Sequence, residues 1–236
     1  MARYAPCEAD YRHFTRRGKG KDMSLVDAKK ELRQQMQERR AQIPEASRTE
    51  QSRMASLLAE KEILTPLRQK RGGRLTLFCY VSFRDEPDTR LLIRSCLNHG
   101  DRLLVPKISA NRSLSLYEIA GEADLTPGTW GILEPKDSAK LFPPSQYAQI
   151  DVVVVPGLAY DTSGGRIGFG AGYYDRFVSE LNAQSGGSSR TLFAGLALRE
   201  QVISQAIPME RHDIRLNVLF TADGMIFMNE SSVKLK

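Results

Sequence analysis

Residues 150–155 (IDVVVV) restrict the possible folds of this chain more than any other segment. Five of the six are β-branched and the apolar character does not alternate. A strand with one wet face alternates; one without alternation must be covered on both sides, as in a parallel sheet between two layers of helices. Pro156 and Gly157 stop the strand. The chain has 236 residues, enough to bury the core that such a three-layer arrangement needs.

The flanking segments supply matching elements. Ser24 and Asp27 have capping-box spacing before a helix over 25–43, with Leu32, Met36 and Ile43 on one stripe and Pro44 ending it. Ser47 and Glu50 open a second helix, with Met54, Leu57, Leu58 and Ile63 inward, and Gly72-Gly73 marks a turn. Residues 74–81 (RLTLFCYV) read as a strand. Asp88 caps a helix over 89–98 whose apolar face is Leu91, Leu92, Ile93 and Cys96, closed by Gly100. Strands follow at 102–107 and, more weakly, 113–119, then a loop at 124–134. A helix over 172–182 precedes a flexible turn at 185–189 (SGGSS) and strands at 191–198 and 216–220, with a short helix near 200–205 between them. Strand and helix alternation with short connections predicts a mainly parallel, Rossmann-like α/β sheet flanked by helices, preceded by an N-terminal helical pair. Residues 23–236 read as one domain, and 1–22 as a disordered basic extension with Met23 as a candidate true start.

Composition narrows the function classes. No apolar run approaches the ~20 residues of a membrane helix, and the N-terminus has no apolar signal core. Cys7, Cys79 and Cys96 are odd in number and lack CxxC spacing. That pattern suits free thiols in a reducing cytoplasm rather than a disulfide frame or zinc site. The net charge of +6 is concentrated at the start, where residues 1–40 hold eleven Lys or Arg against six Asp or Glu. A module for RNA or single-stranded DNA is one reading of that surplus. Against it, only Tyr11 and Phe14 interleave the N-terminal basic run and no RNP-type strand motif is present.

The chemistry concentrates in residues 151–177 (DVVVVPGLAYDTSGGRIGFGAGYYDRF). Gly168, Gly170 and Gly172 alternate before a helix, removing side chains where backbone N–H groups approach an anion. The helix start adds free donors and a positive dipole end. Arg166 supplies a planar cation suited to phosphate oxygens. The segment lacks the GK[ST] ending of a Walker loop and the GxGxxG of a dinucleotide site. The glycines alone fit a tight turn as well as a phosphate cradle. Asp175, in the first helical turn, complements the helix dipole or serves Mg²⁺ beside a phosphate, with Asp213 a second candidate carboxylate. A parallel sheet places both at one end, where ligands gather.

The stretch 155–177 resembles the 5-formyltetrahydrofolate cyclo-ligases, and four further segments match in order. Residues 29–33 (KKELR) are similar to the family's KxxLR helix. Tyr80-Val81-Ser82 with Glu86 and Thr89 is similar to its Y-x-S…E-x-x-T segment. Residues 129–135 (TWGILEP) are similar to its WGIxEP loop, and Asp213 to an Asp near its C-terminus. Together the matches span about residues 25–221.

This resemblance implies an enzyme that converts 5-formyltetrahydrofolate and ATP to 5,10-methenyltetrahydrofolate, ADP and phosphate. It assigns Lys29, Arg33, Arg166, Gly168, Phe169, Gly170, Ala171, Gly172, Tyr174 and Asp175 to ATP, and Asp175 with Asp213 to Mg²⁺. Lys29, Arg166 and Tyr173 are the expected catalytic residues. Tyr80, Val81, Glu86, Trp130 and Tyr173 are expected at the folate, with Glu86 accepting the adjacent N–H groups of the pterin. Many relatives carry a third consecutive glycine at Ala171, and some carry Arg or Lys at Phe169 or Ala171, so contact from these two positions is expected through backbone. The presence of Lys29, Glu86, Arg166 and Asp175 argues against a catalytically idle relative. The expected partner is a small molecule, with or without a polyglutamate tail, bound by a cytoplasmic monomer, with no nucleic acid or membrane.

Overall fold

Ser24 opens the first helix, its hydroxyl accepting the Asp27 amide at 3.1 Å. In this computed structural model, which describes residues 24–109, 113–128, 131–185 and 190–228, helix α1 spans Leu25–Ala41 and α2 Glu45–Ala59. The expected basic extension (1–22), Trp130 and most of the 185–189 turn lie outside the described residues. Helix α2 starts earlier than the Ser47–Glu50 spacing predicts. Pro44, at φ −58°, sets the chain's entry, and the Ser47 hydroxyl accepts the Gln51 side-chain amide within the helix. A π-turn at Glu60–Leu64 leads into α3, Thr65–Arg71, which stops at Gly72 with φ +83°.

Next come β1 (Thr76–Cys79), α4 (Arg90–Asn98), β2 (Arg102–Ile108) and β3 (Leu114–Ile119). Short strands β4 (Leu125–Pro127), β5 (Leu133–Pro135) and β6 (Lys140–Phe142) precede β7 (Val152–Val154). The chain then forms β8 (Ala159–Asp161), β9 (Arg166–Ile167), α5 (Tyr173–Gln184), β10 (Leu192–Leu196), β11 (Val202–Ile203), β12 (Val218–Thr221) and β13 (Gly224–Phe227).

The main sheet has the order β13-β12-β10-β7-β1-β2-β3-β6. Its middle, from β12 to β2, is parallel, and the outer strands β13, β3 and β6 are antiparallel. The valine run therefore sits centrally, with Leu77, Phe78 and Cys79 opposite Val152, Val153 and Val154. Leu77, Cys79, Val152 and Val154 face a layer containing Ala55 and Ala59 of α2 and Leu92 and Cys96 of α4. Phe78 and Val153 point the other way, against Phe177 and Leu181 of α5. Two apolar faces on one strand thus receive two helical layers, as the lack of alternation requires.

The inward face of α2 differs from expectation. Met54 is 41 % exposed and Leu57 46 %, while Ser52, Ala55, Ser56 and Ala59 are buried. Small side chains let this helix approach β12 closely, so the contact stripe is made of the residues a hydrophobicity count undervalues. On α4, Leu92, Ile93 and Cys96 are buried as expected and Leu91 is not.

The two N-terminal helices pack on different surfaces. Met36 and Leu32 of α1 cover a second, three-stranded sheet of order β11-β8-β9, against Leu158, Ala159, Ile167, Ile203 and Ile207. This small sheet begins where β7 ends, so α1 lies across the carboxyl end of the parallel strands. A 3₁₀ turn at Arg199–Gln201 stands where a short helix was expected. Its buried Gln201 amide donates to Gly157 O at 2.8 Å and Leu158 O at 3.2 Å, bracing the exit from β7. Among the described residues no helix is long and apolar enough to cross a membrane.

Candidate active site

Residues Lys29, Arg33, Met36 and Arg40 are spaced by four, three and four, which puts them on one face of α1. That face, rather than an all-apolar stripe, is the side the helix turns inward. Lys29, Met36 and Arg40 are buried and Arg33 half-buried. The helix therefore carries cations into the protein at the end of the sheet.

Lys29 Nζ donates to Glu210 Oε2 at 2.8 Å and to Asp213 Oδ2 at 2.6 Å. Burial works against its charge, but these two carboxylates more than offset that and raise its pKa above the ordinary lysine value. Asp213 is pushed up by burial as well. The Glu210 amide, at 2.7 Å, and Lys29 outweigh that, leaving the carboxyl below its usual range.

The glycine segment leaves β9 and wraps back toward α1. Arg33 Nε donates to Gly168 O at 3.0 Å. Gly170 and Gly172 have φ of +94° and +68°, the left-handed region that side chains resist. A Cβ on Gly170 would also lie 3.2 Å from Arg33 Cζ. Gly172 caps α5 without a side-chain acceptor, leaving its first-turn amides to the loop and whatever binds there. Arg166 reaches across the loop base. Its Nη1 donates to Pro156 O at 3.0 Å and Nη2 to Asp175 Oδ1 at 3.1 Å, while its buried Nε has no partner among the described residues. Asp175 Oδ1 also accepts the Ile214 amide at 3.1 Å, tying α5 to the segment before β12.

These groups line one cavity of about 620 Å³: Lys29, Arg33, Arg166, residues 168–172, Tyr173, Tyr174, Asp175, Glu210, His212 and Asp213. Both expected metal carboxylates, Asp175 and Asp213, are on its wall. Ligand atoms of Glu210, His212 and Asp213 lie within 4.8 Å of one another. Glu210 and His212 escaped the sequence reading; the only signal was their proximity in sequence to Asp213. Phe169 is exposed at the rim, and Ala171 O accepts from Arg176 Nη2 at 2.9 Å. Tyr173 is half-buried beneath the Arg176 guanidinium, 5.3 Å from its ring centre. Tyr174 stacks on Phe78 at 5.6 Å and belongs to the core as much as to the cavity.

Of the residues expected at the folate, Tyr173 lines this cavity, and Tyr80, Val81 and Glu86 follow β1. Tyr80 is 4 % exposed, and its hydroxyl donates to Pro87 O at 3.2 Å. Its side chain packs in the core and closes the 80–89 loop, outside the lining of the cavity described above. Val81 is half-buried against the same core. Glu86 accepts the Phe83 amide at 3.0 Å. Burial raises its pKa above the usual carboxylate value, opposed by that amide and by Arg40.

A family model described as the 5-formyltetrahydrofolate cyclo-ligase family matches residues 26–222. The chain belongs to the 5-formyltetrahydrofolate cyclo-ligase family. A probable 5-formyltetrahydrofolate cyclo-ligase of Caenorhabditis elegans is 31 % identical over 86 % of this chain and 98 % of its own length. The mouse 5-formyltetrahydrofolate cyclo-ligase is 26 % identical over 86 % of this chain and 97 % of its own. The solved structure of Aquifex aeolicus 5,10-methenyltetrahydrofolate synthetase superposes with a TM-score of 0.69 at 27 % identity, covering 86 % of this chain and 93 % of that one. The matched residues 26–222 begin at α1 and end beyond β12, so the cyclo-ligase match takes in both sequence-distant walls of the cavity.

Proposed function

We propose that this chain is an ATP-dependent 5-formyltetrahydrofolate cyclo-ligase, forming 5,10-methenyltetrahydrofolate with release of ADP and phosphate. A formamide oxygen is a poor leaving group. It first attacks the γ-phosphorus and ADP departs. N10 then adds to the formyl carbon, and phosphate leaves with that oxygen as N10 loses its proton. Enzymatic phosphoryl transfer is chiefly positioning and charge neutralisation.

The observation that carries this reading is the convergence of Lys29 and Arg33 from α1, Arg166 from β9 and the 168–172 backbone on one cavity. Lys29 and Arg33 would hold phosphate oxygens, the amides of 168–172 would cradle them, and Arg166 would fix the loop base. The orphan Nε of Arg166 and the hard oxygen donors of Asp175 and Asp213 fit a magnesium triphosphate. When bound, Mg²⁺ supplies charge neutralisation at the phosphates. Glu86 is assigned to the pterin N–H groups, and Tyr173 to the formyl end. Trp130, outside the described residues, stays an assignment from the motif.

The test mixes the purified full chain with 5-formyltetrahydrofolate and Mg-ATP and follows the near-ultraviolet absorbance of the methenyl product. Growth of that band only when ATP is present is expected. No product under any condition refutes the proposal.

A further inference from the structure

Arg40 has no part in the chemistry above, yet only 3 % of it is exposed. A guanidinium taken out of water is costly unless its donors are matched. Arg40 meets three separate pieces of the protein. Nε donates to Asp85 Oδ2 at 2.8 Å and Nη2 to Asp85 Oδ1 at 3.1 Å, a two-pronged pair. Nη1 points to Gly157 O at 3.5 Å, at the exit of the central strand. Its Cζ stands 5.3 Å from the centre of the Phe169 ring.

The location of these partners gives the contact its meaning. Asp85 adjoins Glu86, the carboxylate assigned to the pterin. Phe169 lies in the glycine loop assigned to the triphosphate, between Gly168 and Gly170. Arg40 is an α1 side chain that touches both groups, and Gly157 links it to the centre of the sheet. Glu86 also feels the guanidinium through space, set against Asp85 and the buried Tyr80, Tyr160 and Tyr174 around it.

Resting on the cyclo-ligase reading, we propose that Arg40 is a positioning residue that couples the nucleotide and folate subsites. Phosphates packed on residues 168–172 fix the Phe169 ring over the guanidinium. That ring steadies the fork to Asp85 and holds the Glu86 loop in its binding geometry. The ordering of this loop is then complete before folate arrives, so folate binds more tightly, and by reciprocity nucleotide binds more tightly to the folate complex.

The experiment measures the dissociation constant of 5-formyltetrahydrofolate by calorimetry on the full chain, with and without saturating magnesium and a non-hydrolysable ATP analogue. The wild type is expected to gain about fivefold or more in folate affinity from nucleotide, within the usual range of coupling. Arg40→Lys keeps the charge but loses the planar fork and the flat face. Its ratio is expected to fall to near one. A role limited to balancing buried charge would be rescued by lysine, so an unchanged ratio in Arg40→Lys overturns the proposal even if both ligands weaken together. Asp85→Asn and Phe169→Leu cut the two arms singly and are expected to lower the ratio as well. Should Arg40→Lys fail to fold, retention of the full ratio by both of these overturns it. A wild type that turns over substrate but shows no coupling sinks the inference alone; a wild type that binds neither ligand sinks the cyclo-ligase reading with it.

Discussion

Lys29 Nζ and Asp213 Oδ2 meet at 2.6 Å across 184 residues of sequence. The first helix thus supplies the cation and the segment before β12 the anion of one pair, and Glu210 shares the same ammonium. On the cyclo-ligase proposal, a phosphate entering the cavity would share Lys29 with both carboxylates. Lys29→Ala is therefore expected to raise the KM for ATP about tenfold or more, since hydrogen bonds to charged groups contribute ~1.5–3 kcal/mol. Steady-state kinetics with varied ATP checks this; an unchanged KM would show that the helix does not reach the nucleotide. The variant also loses part of what depresses Asp213. A carboxyl depressed in the folded state stabilises above its ordinary value of 3.8 and ceases to as pH falls through its folded value. The gap in thermal midpoint between wild type and Lys29→Ala should narrow as pH drops below about 4.

Asp175 accepts from both Arg166 and the Ile214 amide through one oxygen. Replacement by alanine would strand a buried guanidinium, at a cost of about 3–5 kcal/mol when a buried pair is broken. Asparagine keeps an acceptor oxygen but removes the charge. Asp175→Asn is expected to stay folded, with a smaller drop in thermal midpoint than Asp175→Ala, and to lose at least ~100-fold in turnover, which needs only about 2.7 kcal/mol of barrier. Full turnover by the asparagine variant would remove Asp175 from the metal site.

Glu86 has the opposite pH behaviour to Asp213. Burial raises its pKa, so the folded state holds the proton longer than the unfolded chain does. Ionising it costs stability as pH rises above the ordinary 4.5. Glu86→Gln, which can still accept the Phe83 amide, should melt higher than wild type at pH 8, with the advantage shrinking toward pH 4. Folate binding should weaken in the same variant, because the amide presents one acceptor where the carboxylate presents two. Thermal melts across that range, paired with folate titration, check both; a constant gap in midpoint would contradict the burial argument.

Gly170 and Gly72 form a matched comparison. Both have positive φ, +94° and +83°, but an added Cβ meets Arg33 at Gly170 and open space at Gly72. Alanine at either position carries a backbone cost of roughly 1 kcal/mol. Only Gly170→Ala is expected to raise the KM for ATP several-fold, leaving that for folate near wild type. Equal effects from the two variants would mean the loop does not hold phosphate.

The central strand, the helix starts at Ser24 and Gly172 and the glycine loop were legible because local patterns determine them. A run such as IDVVVV has few ways to hide both faces. The inward face of α2 was not legible, since Ser52, Ala55 and Ser56 are buried for their small size, which hydropathy does not register. The burial of Tyr80 was not legible either, because the backbone geometry that turns its hydroxyl to Pro87 is set only by the folded loop. Glu210 became visible only through its long-range partner Lys29. Arg40 escaped notice because α1 was read for its apolar residues, although its spacing from Lys29 and Arg33 already placed it on their face.

The meeting of Lys29 with Glu210 and Asp213 also has a consequence for synthesis. At about 5–20 residues per second, roughly 10 to 40 s separate the emergence of the helix from that of its counter-charges. A ribosome stalled before Glu210 holds a polypeptide with most of its strands made, while the Lys29 ammonium still lacks both of its carboxylates.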